Sequence, residues 1–428
     1  MKVRSLAWLL VSCCLAVLFP VSVAAAATVQ VELGEAASYG VQIPFTPSPR
    51  AERYTFSILE DGAEVFRAGV TASGGATDIY LPFAYDPSGL PEYTLRVTAH
   101  VLPGREGLDR EAQVDTPLAL PPSCGCPAGT AGAFYVGKGT AADPYQVAGA
   151  AQLQHINNPN HLGKGQYFKQ VRDIDVEAEQ GTSRWTPIGN DTTRFYGTYD
   201  GDGHWVRNMS IAASDSSGLF GYVEKASIRR LAIETPYAFT SSGSFSGGIV
   251  GDGRPGATLS QCYANVSVTT SAGHAGVLCG LVQNDSLVTD CYGYGKAVAA
   301  HQAGLIQNLV GSAKRSYGVC AINGGQALYI GGIVGCITQA STVSDCRWFD
   351  GPNNPTGENY GTVSNTLRYA LSSANLSNPD NFPASFGLND PDGLWEMGDV
   401  WYWNHKDGRS SERVHVTAPK LRIFTYQE

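Results

Sequence analysis

Apolar and polar residues alternate with period two in several short runs between residues 28 and 120. Val29-Gln30-Val31-Glu32-Leu33 is one, Tyr54-Thr55-Phe56-Ser57-Ile58-Leu59 a second, and Tyr93-Thr94-Leu95-Arg96-Val97-Thr98-Ala99 a third. Such alternation puts one face of a strand on a core and the other in solvent. Asp61-Gly62 supplies two residues that tolerate positive φ, so the second run and Glu64-Val65-Phe66 are expected to form a hairpin. Short strands with turns between them predict a small immunoglobulin- or fibronectin-like β-sandwich over 28–120. Pro121, Pro122 and Pro127 then mark residues 121–133 as a stiff, non-helical linker.

The pattern changes beyond the linker. Residues 134–194 carry a short helical run, Ala150, Leu153 and Ile156 on one face before Asn157-Asn158-Pro159, and are expected to hold a cap and the first coils. From 195 to 365 one unit recurs. Ser217-Gly218-Leu219-Phe220-Gly221 returns as Gly247-Gly248-Ile249-Val250-Gly251, Ala275-Gly276-Val277-Leu278-Cys279, Ala303-Gly304-Leu305-Ile306-Gln307 and Gly331-Gly332-Ile333-Val334-Gly335. Gly218, Gly248, Gly276, Gly304 and Gly332 are spaced 30, 28, 28 and 28 apart. A second apolar column follows (Ile228, Leu259, Val288, Ala313, Val343), and three residues later a third (Leu231, Cys262, Cys291, Ser316, Cys346). Self-similarity at this period means a solenoid.

Each unit is too short to bury its own apolar residues and must stack on its neighbours. The aliphatic pair after the glycine and the two later columns offer about four interior residues per coil, each worth roughly 1.5–3 kcal/mol before entropy is subtracted. The repeat glycines are expected to supply positive φ at corners, and crossovers between parallel strands wind right-handed. The fold expected is therefore all-β: a right-handed parallel β-helix preceded by a small β-sandwich.

The units Gly218-Leu219-Phe220-Gly221, Gly248-Ile249-Val250-Gly251 and Gly332-Ile333-Val334-Gly335 resemble GLUG motifs. Their lead-in does too: Gly139-Thr140, Asp143-Pro144-Tyr145, Asp173-Ile174-Asp175, Trp185-Thr186-Pro187-Ile188-Gly189 and Phe195-Tyr196-Gly197-Thr198. The same region is similar to the non-catalytic part of IgA-specific metallopeptidases. The resemblance covers residues 134 to 350. It implies a pectin-lyase-like β-helix in an exported bacterial protein and, by association, adhesion or surface attachment. Cys279 and Gln307 depart from the closing glycine. No His-Glu-x-x-His occurs, so peptidase activity does not carry over.

Compartment and charge narrow the function. Lys2 and Arg4, an apolar run from Leu6 to Val23 and Ala25-Ala26-Ala27 read as a signal peptide over 1–27. Leu10-Val11-Ser12-Cys13 also fits a lipobox, though the apolar stretch before it is short. An extracellular or cell-envelope location follows, with no transmembrane segment in the mature chain. Losing Lys2 and Arg4 from the 29 basic residues leaves 27 against 38 acidic ones, a net charge near −11, which disfavours nucleic acid as a partner.

Eight cysteines remain in the mature chain. Cys124 and Cys126 are too close to bridge each other without strain. Cys262 and Cys291 share a column on neighbouring coils, close enough either to pack as thiols or to form a disulfide.

Polysaccharide lyases and hydrolases on this scaffold need carboxylates, or a carboxylate with Lys or Arg, converging on an exposed face. The outward column Arg230, Gln261, Asp290, Arg315 and Asp345 is the nearest approach, and it reads as a solvated ladder of mixed sign. Asp290, Arg315 and Asp345 are nonetheless candidate ligand contacts. So are Trp401 and Trp403, which share one face of a strand and can stack on sugar rings. Residues 366–428 as a whole read as an aromatic cap over the last coil. Asp173 and Asp175 are expected to fasten the first coil, and Asp200-Gly201-Asp202-Gly203 to make a tight turn. No catalytic set, metal site or cofactor motif emerges. The function expected is an exported, non-catalytic interaction module that binds a glycan or a protein. A carbohydrate-active enzyme and a structural spacer are the alternatives.

Overall fold

A computed structural model describes, with side chains, residues 129–424 apart from 183, 214, 272, 322–329, 350–355 and 406–411. Ahead of these it describes the strands of an N-terminal unit, with the side chains of 53–69, 91–100, 122–127 and a few single positions. The chain divides into two compact units, residues 1–138 and 139–428.

The N-terminal unit contains two four-stranded antiparallel sheets. One has the order Leu9–Cys13, Ala25–Leu33, Tyr39–Phe45, Thr77–Phe83, its first strand lying in the stretch that reads as a leader. The other runs Ala63–Thr71, Ala51–Glu60, Tyr93–Val101, Glu111–Leu118. The expected hairpin is present: Asp61 (φ 47°) and Gly62 (φ 85°) turn the chain between Ala51–Glu60 and Ala63–Thr71. Tyr54, Phe56 and Ile58 alternate onto the buried face.

The second unit is a parallel β-solenoid of about six turns. A full turn carries four strands, as in Val250–Gly253, Thr258–Ser260, Tyr263–Thr270 and His274–Gly276, and each strand pairs in parallel with its counterpart one turn later. Four stacked sheets result. The second begins with Tyr145–Val147 and Tyr167–Gln170, so the lead-in already belongs to the solenoid. Helix Ala150–His155 buries Ala150 and Leu153, with Ile156 just after it, as its periodicity predicts. The interior columns are fully enclosed: Leu219, Phe220, Ile249, Val250, Leu305, Ile306, Ile333 and Val334 are each no more than 1% exposed.

Two expectations about the repeat need correction. The corners are not turned by the repeat glycines. They are turned by Arg230, Gln261, Asp290, Arg315, Asp345 and then Asn365, all left-handed with φ between 43° and 56°. Gly218, Gly248, Gly304 and Gly332 have ordinary φ and are required by close approach. A Cβ on Gly304 would lie 2.0 Å from the Gly332 carbonyl oxygen, and one on Gly248 2.5 Å from that of Val277. The third unit is also one residue out of the assumed register. Gly276 pairs with Ala303, which pairs with Gly331, while Cys279 stands between Val250 and Ile306. Gly280 is then the closing glycine of that coil, and the position of Cys279 is an ordinary interior site.

The cysteine column stands in register as read, but as thiols. No disulfide is present among the described residues, so Cys262 and Cys291 are not bridged. Each thiol instead donates to the carbonyl two residues back: Cys262 to Ser260, Cys291 to Thr289 and Cys346 to Ser344, all at 3.2 Å. Ser316 takes the same bond to Lys314 at 2.9 Å, which explains why serine replaces cysteine in that coil.

Leu367–Tyr369 is the last strand of the third sheet, and the described residues that follow it, up to Phe424, pack along the flank of that sheet. Trp395–Trp403 and Arg413–Leu421 form an antiparallel hairpin. With Leu376, Phe382, Phe386 and Phe424 it covers an outward column of Trp205, Tyr263, Tyr292 and Tyr317, and Phe349 of the outward column beside it. Tyr292 stacks between Tyr263 (4.7 Å) and Tyr317 (5.3 Å) and meets Trp395 at 5.5 Å. Polar clamps add to this cover. Tyr317 donates to the Pro419 carbonyl at 2.5 Å, and Arg413 pairs with the buried Glu234 at 3.2 Å.

Candidate functional site

The corner column was the strongest candidate for charge-based chemistry, and the structure puts its charges into links between coils. Arg315 grips Asp290 of the preceding coil with two bonds of 2.7 and 2.6 Å. Trp395 Nε1 donates to the same carboxylate at 3.3 Å, and the Asp290 side chain is 5% exposed. Arg230 holds Asp200 and Asp202 of the coil before it, and Asn365 donates to Asp345. A carboxylate engaged by a bidentate guanidinium is neither a free base nor an open ligand. The column therefore joins coil to coil.

Trp401 and Trp403 each meet the residue opposite them in the C-terminal hairpin. Trp403 lies against the solenoid, its backbone N–H on Asn265 Oδ1 at 2.6 Å and Arg413 over its ring at 5.6 Å. Trp401 stacks on His415 at 4.8 Å. Both side chains are partly exposed. Asp173 and Asp175 act as expected. Asp175 caps helix Val176–Gln180 through Ala178 N–H at 2.9 Å, and Asp173 binds Arg207 at 2.7 Å and the Trp205 N–H at 3.0 Å. Asp202 (φ 50°) and Gly203 (φ 86°) make the tight turn.

Histidine and cysteine side chains, of the types that ligate metals, also occur in pairs. In the solenoid unit the imidazoles of His155 and His161 lie 5.0 Å apart, and burial holds the His161 pKa below its usual value. In the N-terminal unit Cys124 and Cys126 are thiols one residue apart, and burial raises the Cys124 pKa.

A second electrostatic feature lies on the first of the four sheets. Asp252 is 1% exposed, with Arg254 at 3.0 Å on one oxygen and no partner on the other. Burial raises its pKa from 3.8 to about 6 against the pull of Arg254. The folded state thus holds a proton between pH 4 and 6 that the unfolded chain has released. The stability this contributes is complete below the unfolded value and is lost as pH rises through 6. Asp252→Asn, neutral throughout, should raise stability at pH 7 by about 1–2 kcal/mol. The gain should vanish near pH 4, as read from urea unfolding at the two pH values.

One concave feature of the solenoid that presents uncommitted polar groups is a cleft of about 400 Å³. It is lined by Glu177, Gly181, Thr182, Asn208, Ser210, Tyr237 and Ala238. A β-bulge builds one wall. In the pairing of Ala232–Ser241 with Tyr263–Thr270, Glu234 faces Asn265 and Ala238 faces Ser267, so Thr235, Pro236 and Tyr237 stand opposite Val266 alone. Two extra residues are pushed out of the sheet there. They fall inside the longest glycine spacing, the 30 residues from Gly218 to Gly248, so the irregularity in the repeat was the signal. Tyr237 OH donates to Glu177 Oε2 at 2.6 Å across the cleft. Asn208, left-handed at φ 56°, ties its amide N–H to Asp175 at 2.8 Å.

Comparisons with known proteins add context. No protein-family model matches the sequence. The chain is 36% identical over 109 residues to a "Putative Gly-rich membrane protein" of Evansella cellulosilytica, a match covering 24% of this chain and 12% of that protein. It is 31% identical over 171 residues to Halomucin of Haloquadratum walsbyi, covering 37% of this chain and 2% of that protein. The chain thus spans a small part of the length of both relatives. Among solved structures, a "putative immunoglobulin A1 protease" from Bacteroides ovatus aligns with 68% of this chain and 95% of its own, at 18% identity and a TM-score of 0.45. A protein named "IgA1 Protease" aligns with 76% of this chain and 28% of its own, at 14% identity and a TM-score of 0.38. Among the described residues no helix is long and apolar enough to cross a membrane.

Proposed function

We propose that this chain is an exported, non-catalytic interaction module that binds glycans on the flank of its solenoid. One observation carries the reading. The charged column that a lyase or hydrolase would need is spent on links between coils, Arg315 on Asp290 above all, which leaves no converging carboxylates open to substrate there. The solenoid itself supports binding, because stacked coils present long, rigid flanks on which recognition groups keep fixed spacing. The leader-like first 27 residues, and relatives named as a membrane protein and as Halomucin, support a place outside the cell or in its envelope. The resemblance of the repeat to GLUG proteins supports surface attachment.

A glycan array probed with the purified full chain tests this. Retention of a defined glycan class is the expected result. A chain that retains no glycan while it shortens a polysaccharide would be an enzyme, and the reading would fall.

A further inference from the structure

We infer that the cleft between helix Val176–Gln180 and the bulge at Thr235–Tyr237 is a subsite for one ring of a neutral, hydroxyl-rich saccharide. The inference rests on the glycan-binding function proposed above and adds the place and the ligand class.

The chemistry of the lining selects the ligand. Glu177 gives one carboxylate oxygen to Tyr237, and its second oxygen has no protein partner among the described residues. Asn208 donates one amide N–H to Asp175 and leaves its amide oxygen and second N–H for the cleft. Thr182 and Ser210 add two hydroxyls that no described side chain engages. Two acceptors and two hydroxyls that both donate and accept, against one dedicated N–H donor, make a surface short of donors, so its complement is rich in donors. Adjacent ring hydroxyls meet that demand, and one carboxylate oxygen can accept from two of them. An anionic sugar would meet the charge of Glu177. A divalent cation would need several more oxygen ligands than this lining supplies.

The apolar face of a sugar ring also needs a flat partner. Tyr237 provides one, its ring fixed by the bond from its hydroxyl to Glu177. The cleft volume falls in the range of small-molecule sites. The bulge supports the same site independently of the lining. An extra two residues in an otherwise regular ladder re-aim a side chain, and what they aim is Tyr237.

The test is calorimetric titration of the full chain with cellotetraose, maltotetraose, mannotetraose and chitotetraose. At least one of the four is expected to bind. Glu177→Gln keeps the shape and loses the charged acceptor, so it should weaken that ligand at least tenfold. Tyr237→Phe frees the ring and should weaken it severalfold. Thermal unfolding of both variants should match the parent, which separates lost binding from lost folding. Binding by the parent with unchanged affinity in both variants overturns the subsite and leaves glycan binding standing elsewhere on the flank. No binding to these probes or to any array glycan overturns both. Retention of carboxylated glycans alone overturns the ligand class.

Discussion

Replacing Tyr292 with alanine is expected to cost the protein about 3–5 kcal/mol, the range for truncating a large buried aromatic. Tyr292 is fully buried although it points away from the solenoid interior. Its ring is enclosed by Tyr263, Tyr317 and Trp395, so truncation opens a cavity where the C-terminal hairpin meets the coils. Urea unfolding should show a lower midpoint, and near-ultraviolet dichroism should lose aromatic signal as the hairpin loosens. A loss below about 1 kcal/mol would mean that the tyrosine column is not covered as described.

The second large effect is at Gly304. Alanine there puts a Cβ 2.0 Å from the Gly332 carbonyl oxygen, and backbone cannot swing aside as a side chain can. The two coils must separate locally, at a cost of about 3 kcal/mol, the upper part of the usual range for overpacking. Gly304→Asn distinguishes this from a conformational requirement. Asparagine tolerates left-handed φ, so it would rescue a glycine needed for positive φ. Here it should be at least as damaging as alanine, because it carries the same Cβ into the same carbonyl.

Much of the solenoid was legible in the sequence, because stacking forces equivalent residues into columns. Val288 and Ala313, and Cys291 and Ser316, are neighbours in space for the same reason that they align in sequence. The register of the third unit was not legible. That unit carries a single glycine, Gly276, where Gly247-Gly248 and Gly331-Gly332 carry two, and strand pairing matches Gly276 to Ala303 and Gly331 rather than to Gly304 and Gly332. The purpose of the glycines was misjudged for a related reason. A repeated glycine signals either positive φ or close approach, and the alternative corner residues, Arg230 to Asp345, carry side chains that conceal their left-handed backbone.

The C-terminal hairpin could have been foreseen from parity. Tyr263, Tyr292 and Tyr317 each follow an inward-facing residue of the cysteine column, so they face outward. Three large aromatics in an outward row require a cover, and Trp395 to Phe424 is where the chain supplies it. The cleft was the least legible feature. Glu177, Asn208 and Tyr237 come from three turns of the chain, and the two-residue excess in one repeat was the trace they left.

The claim that charge on this scaffold serves architecture, and that the protein binds without cutting, is tested most directly by the fate of a retained glycan. The full chain is incubated for a day with a polysaccharide that it holds on the array, and the polymer's length is then measured by size-exclusion chromatography. The account predicts an unchanged length distribution, with no new reducing or unsaturated ends. A progressive fall in chain length that scales with protein concentration would contradict it.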